Sequence, residues 1–168
     1  MKKIALAVLV ALGASTYCFG QNEISLRKEL DILKSIVGKT WLCEEKSPDG
    51  QKMFDFLLKF ESIHNGNTIK RYLECKELNF QSDGFYYYDP DKKEIALLEL
   101  GSNGNFSIGN IKKENGIILK YGFTIFPDSK LKFRNTLEIT AEGNLIDKFF
   151  SFENEEWKAG HSRTYRAQ

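Results

Sequence analysis

The chain has 168 residues, with 24 basic and 23 acidic side chains mixed along its length and only three prolines. That length suggests one domain, and 28% charged with 13% aromatic residues is a globular rather than a disordered composition. No basic patch or long block of like charge stands out, which argues against a nucleic-acid partner or a charged interaction tail.

The first twenty residues read as an export signal: Lys2-Lys3, a short apolar run from Ile4 to Leu12, then small residues at Ala14-Ser15-Thr16. A cut after Gly20 starts the mature chain at Gln21, so the expectation is residues 1–20 as signal and 21–168 as a single exported domain, periplasmic or extracellular. The alternative is lipidation at Cys18, giving an outer-membrane lipoprotein; bulky Tyr17 stands where a lipoprotein signal wants a small side chain. No other apolar run is long enough for a transmembrane helix.

Asn22-Glu23 has the chemistry of a helix start, and Leu26, Leu30, Leu33 and Val37 follow at helical spacing. Gly38 is placed to end the helix in the left-handed conformation. From Thr40 the period changes to two, with Trp41 and Cys43 on one face. Ser47-Pro48-Asp49-Gly50 turns into a strand whose Phe54, Phe56, Leu58 and Phe60 share a face. Asn65-Gly66-Asn67, Asp83-Gly84, Asp89-Pro90-Asp91, Ser102-Asn103-Gly104, Asn115-Gly116, Pro127-Asp128-Ser129, Ala141-Glu142-Gly143 and Glu153-Asn154-Glu155 punctuate the rest. Two faces stand out: Ile117, Leu119, Tyr121, Phe123 and Ile125, and Trp157, Ala159, His161, Arg163 and Tyr165. About ten strands with hairpin-length turns predict an all-β, antiparallel up-and-down meander. Closing it into a barrel removes the two bare edges, and the helix is then free to cap one end.

The order of these features resembles the calycins, and among them the lipocalin-like bacterial secreted proteins of unknown function. The resemblance runs from about Leu26 to Arg166. It rests on the helix ending in Gly38 and Trp41, on Pro48-Asp49-Gly50, on Tyr88-Asp89-Pro90, and on Gly143 before the Trp157…Tyr165-Arg166 strand. It implies a structural role for Gly38 and Trp41, with Arg163 or Arg166 lying over the indole by cation–π contact. The lipocalin Gly-x-Trp is one residue longer here, Gly38-Lys39-Thr40-Trp41. A more distant resemblance, to nitrobindin-like haem barrels, implies His161 as an axial iron ligand, although their glycine-rich motif around the N-terminal Trp is missing.

His64 and His161 are the only histidines, too few for a three-histidine zinc site. Gly160-His161-Ser162-Arg163 is no nucleophile elbow, and Asp89-x-Asp91-x-x-Glu94 lacks the glycine and glutamate of a calcium loop. No catalytic set emerges, and no cofactor is expected apart from the haem alternative. Cys43 and Cys75 fall on the first and third strands, roughly 9–10 Å apart, whereas a disulfide needs Cα atoms within about 7 Å. Free, buried thiols are therefore expected. The leading function is binding of a small hydrophobic or amphipathic molecule in a barrel lined by aromatics. Tyr72, Tyr87, Tyr121, Asn135, His161 and Arg163 are its candidate inward polar residues, with Glu74 or Glu99 as carboxylate partners for a buried arginine. A solid barrel serving as an envelope adaptor is the remaining alternative.

Overall fold

A computed structural model describes residues 24–168. The expected export signal, Cys18 and the expected helix start at Asn22-Glu23 lie outside the described residues. Ten antiparallel strands close into a barrel in which every strand pairs with its neighbours in sequence and β1 meets β10. They are β1 Thr40–Lys46, β2 Lys52–Ile63, β3 Thr68–Cys75, β4 Phe80–Asp89, β5 Glu94–Gly101, β6 Phe106–Glu114, β7 Ile117–Ile125, β8 Lys130–Ile139, β9 Leu145–Glu153 and β10 Glu156–Ala167. The β1–β10 seam is thin, with only Trp41↔Ala167 and Leu42↔Arg166 in register.

Ahead of the barrel stands a 3₁₀ turn, Lys28–Leu33, rather than the expected α-helix. Its hydrogen bonds run three residues back, Leu30 N–H to Arg27 C=O at 2.8 Å and, just beyond, Ile36 N–H to Leu33 C=O at 3.0 Å. A 3₁₀ turn has three residues per turn, so Leu30, Leu33 and Ile36 fall on one side. All three are fully buried, as is Val37. Gly38 takes φ +77° as anticipated and donates its N–H to Phe60 C=O at 2.8 Å.

This segment lies against the rim that carries the 64–67 turn. Arg27 N–H donates to Gly66 C=O at 3.0 Å, and the Arg27 guanidinium lies 4.7 Å from the Tyr88 ring centroid. A Cβ on Gly66 would stand 2.5 Å from the Ser25 carbonyl oxygen, so only glycine lets the segment cross here. The segment joins Trp41, Leu58, Phe60, Ile69, Ile95, Ile111, Ile118 and Leu145 in one buried apolar cluster. The Trp41 indole N–H donates to Ile36 C=O at 3.0 Å. Lys39, not Arg163 or Arg166, covers that indole, at 5.2 Å. Arg166 is on the outward face, one residue from inward Tyr165, while Arg163 lies over Phe56 at 3.7 Å. Cys43 and Cys75 are buried and unpaired.

Strand alternation decides what faces inward. On β2 the Phe54-Phe56-Leu58-Phe60 face is inside, as the sequence suggests. On β7 the buried residues are Ile118 and Lys120, so the Ile117-Leu119-Tyr121-Phe123-Ile125 face is the outer one. Gly109 and Gly122 pair with each other across β6 and β7. A Cβ on Gly109 would sit 2.0 Å from the Tyr121 carbonyl oxygen, and one on Gly122 would sit 2.1 Å from that of Ile108. Two residues without side chains allow the sheet to bend tightly at this point. On β10 the register shifts between Ala159 and Ser162. Trp157 and Ala159 therefore face out while His161, Arg163 and Tyr165 face in, and the expectation of a single face is corrected by this bulge.

Gly109→Ala places its methyl against backbone that cannot give way locally. It should lower the unfolding free energy by about 2 kcal/mol or more, measured by urea denaturation. Gly104→Ala, where no atom lies within 4 Å of the added Cβ, serves as the comparison that carries only backbone strain.

Candidate functional site: a charged cavity in one half of the barrel

The barrel is filled unequally. Near the rim that carries Gly66 it is packed with apolar side chains; toward the opposite rim it encloses a cavity of about 380 Å³. Its floor holds Arg71, Glu99, Lys120, Asn135 and Asp147, and its mouth includes Phe80, Phe106, Phe126 and Leu131.

Glu99 organises the floor. Its Oε1 accepts from Lys120 Nζ at 2.6 Å and from the Tyr86 hydroxyl at 2.6 Å, with Arg71 Nε at 3.6 Å. Burial alone would raise the Glu99 pKa, but the charges of Arg71 and Lys120 and these hydrogen bonds bring it down to about 2. The Tyr86 phenol is driven far up by burial and by Glu99, so it stays a donor. Lys120 Nζ also lies 3.2 Å from the Tyr86 oxygen, and Arg71 Nη1 donates to Ser82 Oγ at 3.1 Å. Gly84 pairs with both Arg71 and Glu99. A Cβ there would come within 3.1 Å of Glu99 Cγ and 3.2 Å of Arg71 Cβ, so its bare backbone leaves the space in which the two side chains meet.

A second cluster lines the wall. The Asn135 amide donates to Asp147 Oδ1 and, at 3.2 Å, to Lys148 C=O, leaving Asn135 Oδ1 buried without a partner. His161 Nε2 stands 3.5 Å from Asp147 Oδ1, and its ring stacks on Phe149 with centroids 5.5 Å apart. Burial works to raise the Asp147 pKa, yet His161, Lys120 and Asn135 leave it below its usual value. Arg163 Nε donates to Glu45 Oε1 at 2.6 Å, bridging β10 to β1 where the backbone ladder is missing.

Of the residues singled out from the sequence, Asn135, His161 and Arg163 line this cavity. Tyr72, Tyr87 and Tyr121 do not: they alternate with inward Arg71, Tyr86 and Lys120 and stand on the outer surface. Glu99 is indeed a partner of a buried arginine, Arg71; Glu74 faces outward toward Gln81. The sequence pattern alone does not single out Arg71, Lys120 and Asp147, which also line the floor. Arg71 and Asp147 each interrupt an apolar alternation, Ile69-Arg71-Leu73-Cys75 and Leu145-Asp147-Phe149, and that interruption was the available signal. A haem would need His161 to turn a nitrogen to the iron. Its Nε2 is instead buried beside Asp147 and its ring is held on Phe149, so Nε2 as placed is not presented to an iron. A larger groove of about 560 Å³ runs along the β1–β10 seam, but exposed Glu44, Lys46 and Arg166 line it and no buried polar cluster does.

Glu99→Gln removes the charge that neutralises Arg71 and Lys120. The loss should be about 3–5 kcal/mol, as for a broken buried ion pair, read from urea or thermal unfolding. The folded-state pKa lies below the ordinary 4.5. Its contribution is therefore complete above about pH 4.5 and declines as pH falls toward 2, by on the order of 3 kcal/mol in all. Wild-type unfolding midpoints measured from pH 5 to pH 2 should fall more steeply than those of Glu99→Gln. No family model and no curated protein matches the sequence.

Proposed function

We propose that the protein is a non-catalytic, calycin-like barrel that binds a small amphipathic molecule in its open half. In this reading it works outside the inner membrane, after removal of residues 1–20 or tethered through Cys18. The segment around Leu30, Leu33 and Ile36 closes the far end, so ligand enters only between the turns at the opposite rim.

The observation that carries the reading is the contrast between floor and mouth. A volume of about 380 Å³ is at the small end of ligand pockets. Guanidinium and ammonium groups bring more N–H donors than Glu99, Ser82 and Tyr86 consume. That surplus suits a head group rich in acceptor oxygens, such as a carboxylate, carbonyl or hydroxyl. Phe80, Phe126, Phe133 and Phe149 suit an apolar remainder. Positive and negative groups are balanced on the floor, which favours a small polar head over a multiply charged one.

The test is displacement of anilinonaphthalene sulfonate by decanoate, with mass spectrometry of whatever copurifies. Saturable binding is expected, reduced about tenfold or more in Lys120→Met and abolished in Thr124→Trp, which fills the mouth without touching the floor. Wild type that is folded by circular dichroism, purifies empty and shows no saturable binding would instead support the solid-barrel adaptor.

A further inference from the structure

The outer wall of β5–β10 carries a feature that the cavity does not require. One cross-strand row reads Leu98, Ile108, Phe123, Lys132, Phe152, Trp157, each paired with the next across six strands. The adjoining row nearer the open rim reads Leu100, Phe106, Ile125, Lys130. Leu100, Phe106, Ile108 and Phe123 are 45%, 37%, 43% and 37% exposed. Large apolar groups in contact with one another and with water mark an interaction surface rather than scattered exposure.

The charges within these rows have one sign. Lys130 Nζ lies 3.8 Å from the Phe123 ring centroid, and Lys132 Nζ lies 5.0 Å from that of Phe152. Arg134, one row further, lies 4.6 Å from both Phe150 and Trp157. No acidic side chain stands in either row; the paired strand ends Glu153 and Glu156, with Glu155 in the turn between them, mark the edge of the face next to Trp157.

We infer that this wall docks on the surface of an anionic lipid bilayer, with the apolar side chains at the headgroup–acyl boundary and the lysines and Arg134 at the phosphates. An aliphatic and aromatic surface interspersed with cations meets both layers of such a boundary. A second copy of the chain fits less well, since a two-fold contact would bring two faces of the same positive sign together. A polyanion alone would leave Leu98, Leu100 and Ile108 without a partner. The barrel lies on the bilayer and does not span it: the outer faces of β2–β4 carry Asp55, Lys59, Glu61, Lys70, Glu74 and Asp83, which a lipid-facing barrel wall does not tolerate. Phe106 belongs to both the wall and the cavity mouth, so docking places that mouth beside the lipid.

Trp157 is a local reporter. The only other tryptophan, Trp41, is fully buried with its N–H bonded, and stays silent. The full chain is mixed with vesicles of phosphatidylcholine alone, or with about 30% phosphatidylglycerol, with and without brominated acyl chains. Anionic vesicles should shift the emission to shorter wavelength and brominated chains should quench it, with neither change in Trp157→Phe. Lys130→Glu with Lys132→Glu should weaken the response about tenfold or more, and Phe123→Ser should do likewise. Any attachment through the apolar Ile4–Leu12 run is common to all of these proteins, so the differences between wild type and the wall variants read the wall itself. Emission indifferent to anionic vesicles, or quenching unchanged in both variants, overturns the proposal. So does a dimer in solution that Phe123→Ser dissociates, which would assign the wall to a second copy. Because the readout is independent of ligand in the cavity, its failure is separate from failure of the binding reading.

Discussion

A single buried carboxylate decides how this barrel is divided. Glu99 on β5 holds Arg71 from β3 and Lys120 from β7, with Tyr86 from β4 closing the set. Each of these charges in isolation would be expelled from an apolar interior at a cost of several kcal/mol. They remain inside because one oxygen serves two cations and a phenol. The backbone makes this contact feasible. Gly84 lies between Arg71 and Glu99 in register, and Gly109 and Gly122 occupy inward positions between Glu99 and Lys120. Where glycine replaces a side chain, the long charged ones lean across and meet.

Everything on one side of that level is apolar, and everything on the other is mixed. Toward the Gly66 rim, Trp41, Phe60 and Ile69 interlock with Leu30, Leu33 and Ile36 and leave no room for a ligand. Toward the other rim, the second polar cluster of Asn135, Asp147 and His161 continues the charged level around the wall. The bulge at Gly160 belongs to this arrangement. Without it, strict alternation would carry Trp157 inward with His161 and fill the cavity with an indole. A Cβ at Gly160 would stand 2.8 Å from the Phe149 ring, so the residue that makes the bulge also makes room for the Phe149–His161 stack.

The architecture was legible because turn chemistry is local. Asn115-Gly116, Ala141-Glu142-Gly143 and their like announce their turns without reference to the rest of the chain, and hairpin-length connections leave little choice of topology. The buried face of β2 was legible for the same reason, four apolar residues at strict alternation. Two of the misjudged faces have specific causes. On β7 the more apolar face is the outer one, so hydrophobic alternation, the usual guide, points the wrong way and takes Tyr121 with it. On β10 the bulge changes the parity midway, and Gly160 within the strand was its one local trace. The Glu99 cluster is non-local, drawing one residue from each of four strands. Such a set becomes visible only once inward positions are known, although Arg71 within an apolar alternation was a trace of it.

The inverted polarity of β7 also links the inside of the barrel to its outside. Placing Lys120, Gly122 and Thr124 inward leaves Leu119, Tyr121, Phe123 and Ile125 outward, but nothing in the core asks the outward positions to be apolar. Alternation leaves those residues free, and on β8 the same positions are Lys130, Lys132 and Arg134. An exposed apolar sheet face invites non-specific association, which proteins commonly counter with charge. Here the charges are all of one sign, sit over the aromatic rings and stop short of covering Leu100, Ile108 and Phe123. General solubility would be served as well by glutamates, or by mixed charges such as those on the outer faces of β2–β4. Cations alone, set among uncovered aliphatic side chains, favour a surface that is negative at its boundary and apolar just beneath.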